Sequence, residues 1–150
     1  MLKAVFWTII VLTALVVGLS FTAARKSTGM SPPSFGPDGA LPPCGKNPNC
    51  VSTEVAPDHA AHIKPVQAQI TIEQLAVHLQ TLGGRITSQS ETQLQAEFRT
   101  PLFKYVDDMM VVQDDGTFRI RSSSRVGKSD LGANRKRVEA LRQLINSQSG

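Results

Sequence analysis

The sequence predicts an α+β domain, a small antiparallel sheet of about four strands covered by two helices and preceded by an N-terminal transmembrane or signal helix. Three observations carry that expectation. The chain opens on an uncharged apolar run, Ala4–Ala24. Two later segments repeat apolar residues at helical spacing, and four β-like stretches lie between them. The last two stretches flank an Asp-Gly turn signal. At 150 residues the chain allows one domain and excludes a large multi-domain enzyme. With 41% hydrophobic residues it is no disordered chain, and two cysteines cannot make a disulfide-dense scaffold.

As a helix, Ala4–Ala24 spans roughly 31 Å, enough for a bilayer's hydrocarbon core. Lys3 precedes it, and Arg25 and Lys26 follow. A retained anchor has such a length and a basic stop. A cleaved signal has small residues at its exit, which Thr22 and Ala24 supply. Both readings stay open, with residues 1–26 as the anchor or signal segment.

Residues 27–43, STGMSPPSFGPDGALPP, hold five Pro and three Gly and read as a flexible stalk. The domain is expected over 44–150. It starts with CGKNPNC, in which Gly45, Asn47, Pro48 and Asn49 favour turns. In an oxidising compartment Cys44 and Cys50 are expected to pair, worth roughly 2.4 kcal/mol of chain entropy for so short a loop. With His59 and His62 the cysteines fit no standard zinc spacing, so no metal or other cofactor is expected.

Thr71 followed by Gln74 is a capping box opening a helix with the stripe Ile72, Leu75, Ala76, Leu79 and Leu82. Gly83-Gly84 stops it. Strands are expected at Arg85–Ser90, Leu94–Arg99, Tyr105–Val112 and Phe118–Ser124. Placing Asp115-Gly116 at the hairpin tip sets Val111 opposite Ile120, Met109 opposite Ser122 and Asp107 opposite Ser124. Alternation then gives a core face with Tyr105, Asp107, Met109, Val111, Phe118, Ile120, Ser122 and Ser124. The other face carries Asp108, Met110, Val112, Arg121 and Arg125. The last helix is expected over Leu131–Ile145, capped by Ser129 or Asp130, with Leu131, Val138, Leu141, Leu144 and Ile145 on one side. Asn134 falls on that apolar side and needs partners for its amide.

The polar residues Asp107, Asp108, Ser122, Ser124, Arg125, Ser129, Asp130 and Asn134 are expected to converge at the open end of the hairpin. A carboxylate on the core face must be paired, and Arg125 is the nearest strong donor in sequence to Asp107. The cluster reads either as a ligand site, with Arg121 and Arg125 gripping an anion, or as a buried network fixing the last loop. Asp107 and Asp108 are poor acid–base partners, because adjacent strand residues point to opposite faces.

Charge is uneven. Arg119 to Arg142 holds eight basic and two acidic residues. The stretch reads first as a solvated helix face with ion pairs inside the domain; export of the domain excludes nucleic acid as its partner, and leaves an anionic small molecule, a lipid head group or an envelope protein.

LPPCGKNPNCVST (Leu41–Thr53), YVDDMMVV (Tyr105–Val112) and RIRSSSRVGKSDLGANRKRVEALR (Arg119–Arg142) resemble the motifs of the domain-of-unknown-function 1499 family. The similarity covers roughly Leu41 to Ile145. It implies a small, often membrane-associated or secreted protein of a family found largely in bacteria and photosynthetic lineages, with no activity to carry over. It draws attention to Cys44, Cys50, Asp107, Asp108, Arg121, Ser124, Arg125, Gly127, Asp130, Asn134, Arg135 and Arg137. Gly45 stands where many relatives carry Pro. Met109 stands where an acidic residue is common, which weakens a metal-binding reading of that strand.

The expected function is therefore a membrane-anchored extracytoplasmic domain with a binding or structural role in the cell envelope, secreted or periplasmic if the first segment is cleaved. The ligand-binding residues are expected among Asp107, Asp108, Arg121, Ser124, Arg125, Asp130, Asn134 and Arg135. The alternative is a small envelope enzyme using the Asp/Arg/Ser cluster around Asp107 and Arg125.

Overall fold

The computed structural model describes residues 1–148. Helix α1 (Leu2–Gly29) is followed by β1 (Cys50–Ser52), β2 (Val66–Gln67), α2 (Ile72–Thr81), β3 (Arg85–Gln89), β4 (Gln93–Arg99), β5 (Val106–Asp114), β6 (Thr117–Ser124) and α3 (Ala133–Gln148). The sheet is antiparallel, in the order β1-β6-β5-β4-β3, with β2 also paired to β6. It has six strands rather than about four. The two extra strands, β1 and β2, have three and two residues, too short to display alternation, and exist because β6 offers them a free edge.

The hairpin forms as its alternation dictates. Asp107 pairs with Ser124, Met109 with Ser122 and Val111 with Ile120. Asp115 and Gly116 take φ of 44° and 73°, the doubly positive pair that a two-residue turn of matching twist requires. One sheet face carries Leu94, Ala96, Phe98, Met109, Val111, Phe118 and Ile120 into the main core. Leu75 and Leu79 of α2, and Val138, Leu141 and Ile145 of α3, close it. Leu131 is not part of that stripe. It precedes the helix, takes φ of 53° and is 88% exposed.

Thr71 and Gln74 form the capping box at the start of α2. Thr71→Ala is expected to lower the unfolding free energy by about 1 kcal/mol, measured by urea titration.

The opposite sheet face is also buried. Val106, Asp108 and Met110 are inaccessible on it, and Val112 nearly so. The cover is the Pro-rich segment that reads as a stalk. Leu41 and Phe35 pack on Met110 and Val112, and the Gln95 amide donates to the Pro33 carbonyl at 2.8 Å. The physical reason is on the sheet: an apolar outer face needs a lid, and a Pro-rich strap brings few N–H groups that need partners. The last turn of α1 joins the lid. Ala24 and Ser27 are buried, and Ser27 Oγ accepts from the Val106 N–H at 3.2 Å.

Candidate functional site

Adjacent positions on β5 send Asp107 and Asp108 through opposite faces of the sheet, so the polar residues at the open end of the hairpin divide into two networks.

Asn134 organises the helix-side network. The Ser122 hydroxyl donates to its Oδ1 at 2.6 Å, and Arg137 does so at 2.8 Å. Its Nδ2 reaches Asp130 Oδ2 at 2.8 Å, Ser124 Oγ at 3.2 Å and the Asn49 carbonyl at 3.3 Å. The Asp130 carboxylate also accepts from the backbone N–H groups of Gly132 and Asn134, capping α3. Burial opposes its charge, but those N–H donors and the Asn134 amide hold its carboxyl below the ordinary aspartate value. Asp107 is paired with Arg137 at 2.9 Å, not with Arg125. Arg125 is closer in sequence but lies on the other face, whereas Arg137 comes over the sheet on α3 with its guanidinium 4.4 Å above the Phe98 ring.

Arg125 organises the outer network. Its side chain is 4% exposed. It donates to Asp108 through Nε at 2.7 Å and Nη2 at 2.8 Å, and to Glu97 through Nη2. Nη1 donates to the carbonyls of Met30 at 2.6 Å and Ser27 at 3.3 Å. The five donors of the guanidinium are thereby matched, joining β4, β5 and the end of α1. The Asp108 hydrogen bond leads in raising Arg125's pKa, against burial. Arg121 is buried beside this network. Its Nη1 donates to Ser123 Oγ at 2.6 Å, while Nε finds no hydrogen-bond partner among the described residues. Burial depresses its pKa, against the pull of Asp108.

Glu97 is a member that alternation alone does not flag. Burial opposes its charge, but hydrogen bonds from Arg85 and Arg125 outweigh it and hold the carboxyl below the ordinary value of 4.5. The folded pKa is depressed, so the stabilisation is complete above that value and is lost as pH falls through the folded one. Melting temperature is therefore expected to hold steady from neutral pH down to the ordinary carboxylate range and then fall. Glu97→Gln should flatten that acid limb, as read by circular dichroism.

Two cavities meet on either side of the Asp130 turn. One, of about 320 Å³, lies at the open end of the hairpin. Ala23, Tyr105, Val126 and Leu131 supply apolar wall, with Asp107, Ser124 and Asp130 among its polar groups. The other, of about 360 Å³, lies under the disulfide loop, where Lys46, His59 and Arg135 meet Asp130. Arg135 donates to the Ala60 carbonyl there at 2.6 Å. Cys44 and Cys50 are bonded, which holds this loop closed. No cluster of three metal-ligating side chains is found among the described residues.

A family model described as "Protein of unknown function (DUF1499)" matches residues 40–145. No curated protein matches the chain.

Proposed function

From a chain that belongs to the DUF1499 family of proteins of unknown function, we propose a membrane-anchored extracytoplasmic domain that binds envelope material at the bilayer surface. The observation that carries this reading is the junction of α1. Its apolar window is entirely unburied by the rest of the chain, yet its last turn is hydrogen-bonded into the sheet. A helix continuous through Ala24 into a docked turn supports a retained anchor over a segment shed at that point. Basic residues flank both ends of α1 and orient it only weakly, so it is the Cys44–Cys50 bond that supports placing the domain on the oxidising side.

The binding residues on this reading are Asp107, Ser124 and Asp130, which line the cavity next to the anchor, with the fully buried Asn134 holding Ser124 and Asp130 in place. Apolar walls with carboxylates and a hydroxyl among them suit an amphiphile that presents hydrogen-bond donors. Arg125, held by Asp108, serves instead to seat the anchor, Arg121 is buried beside them on Ser123, and Arg135 faces the second cavity. The Asp130 carboxyl is moved downward, the wrong direction for a general acid near neutral pH, which argues against that role for Asp130.

The test is fractionation of cells expressing the full chain, with intact mass and thiol alkylation. The expected result is an uncleaved chain that resists alkaline extraction from membranes and is alkylated only after reduction. A soluble chain with two free thiols overturns the reading.

A further inference from the structure

The loop between β4 and β5 touches α1 inside its apolar run. The Phe103 ring packs edge-on against Phe21 with 5.6 Å between centroids, and Tyr105 follows at 6.0 Å from Phe103. Phe21 lies roughly 4.5 Å along the helix before Ala24, where the uncharged run ends. Whatever layer receives Phe21 must therefore receive Phe103. Next to it Leu102 is 74% exposed, left uncovered by the described residues.

Leu131 repeats the pattern from another part of the chain. It is 88% exposed and lines the same cavity as Ala23 of α1. Its φ of 53° is a left-handed conformation that a leucine adopts at a cost, and that cost goes with a side chain held out in solvent. Lys104, beside Phe103, also has a positive φ, and Lys128 stands exposed two residues before Asp130. With Arg25 and Lys26 these put basic groups around the apolar tips, the composition of an interfacial anchor facing anionic lipid.

We infer that Leu102, Phe103 and Leu131 form a second membrane contact beside α1, seated in the interfacial layer of the bilayer, so that the cavity holding Asp107 and Asp130 opens at the lipid surface. This rests on α1 being embedded in a membrane. The occupant of the apolar tips is the lipid itself, by continuity with the apolar surface of the helix. The polar groups of the cavity then face molecules that approach along the membrane.

Trp7 is the only tryptophan of the chain and lies in α1, so it reports the anchor separately. The full chain is reconstituted in vesicles of phosphatidylethanolamine and phosphatidylglycerol carrying brominated acyl chains, which quench nearby tryptophan. Leu102→Trp and Leu131→Trp are each made in a Trp7→Phe background. Asp114→Trp in the same background is the control, roughly 27 Å away at the other end of β5. The expected result is strong quenching of Trp7 in the native chain. Quenching in Leu102→Trp and in Leu131→Trp should be several-fold greater than in Asp114→Trp. If Trp7 is quenched while either variant matches the control, the second contact is overturned and the anchor stands. An unquenched Trp7 overturns the anchor itself, and the second contact with it.

Discussion

Arg125→Met is expected to lower the unfolding free energy by about 3–5 kcal/mol, because it strands Asp108 as a buried charge and leaves Glu97 only its contacts with Arg85 and Arg99. Few residues in the chain join as much. One guanidinium ties two strands to each other and both to the carbonyls of Ser27 and Met30. The measurement is urea unfolding of the full chain in detergent. Adding Asp108→Asn to Arg125→Met should recover part of the loss, since it removes the stranded charge. A loss under about 1 kcal/mol, the range of an exposed ion pair, would contradict the buried coupling described here. Limited proteolysis gives an independent readout, because the residues between Lys26 and Leu41 should become cleavable once their carbonyls lose the guanidinium.

Asn134→Ala is expected to cost about 3 kcal/mol, from several buried polar groups losing partners at once. Ser122 loses its acceptor, and Asp130 and the Asn49 carbonyl lose a donor. The same substitution at Lys136, which is exposed one turn-face away, should change stability by less than about 0.5 kcal/mol. Equal effects at the two positions would remove Asn134 from its organising place. Hydrogen exchange would localise the damage. The amide of Ser124, bonded to the Asn49 carbonyl, and the first turn of α3 should lose protection ahead of the β4–β5 ladder.

The hairpin was legible because its turn chemistry and its alternation agree. Asp115-Gly116 admits only one tip, and from that tip every pairing from Val112 to Asp107 follows. The capping box at Thr71 was legible for the same reason, a local pattern with one local geometry. Partners across the fold were not. Which arginine meets Asp107 depends on how α3 crosses the sheet, so sequence distance pointed to Arg125 and packing gave Arg137. The relevant signal was present in the parity of the strand positions, which already set Asp107 and Arg125 on opposite faces. Glu97 needed the register of a neighbouring strand, since its own strand marks it only as one more outward polar residue. Leu131 read as the first apolar residue of a helical stripe, and only the Asp130 cap, which fixes where α3 begins, places it outside. The lid over Met110 and Val112 was hidden by composition. Proline and glycine mark a segment as irregular, but do not say whether it is loose or laid down against something.

A lid that begins at the last turn of α1 leaves no tether between helix and domain. A protein on a long stalk can search a volume, reach a wall above it or pivot toward a distant partner. This one has its hinge filled by a saturated guanidinium, which fixes the domain to the direction of the helix. On the anchored reading proposed above, its working zone is the thin layer directly over the lipid, and a push on the sheet would be felt as a rocking of the rod beneath it.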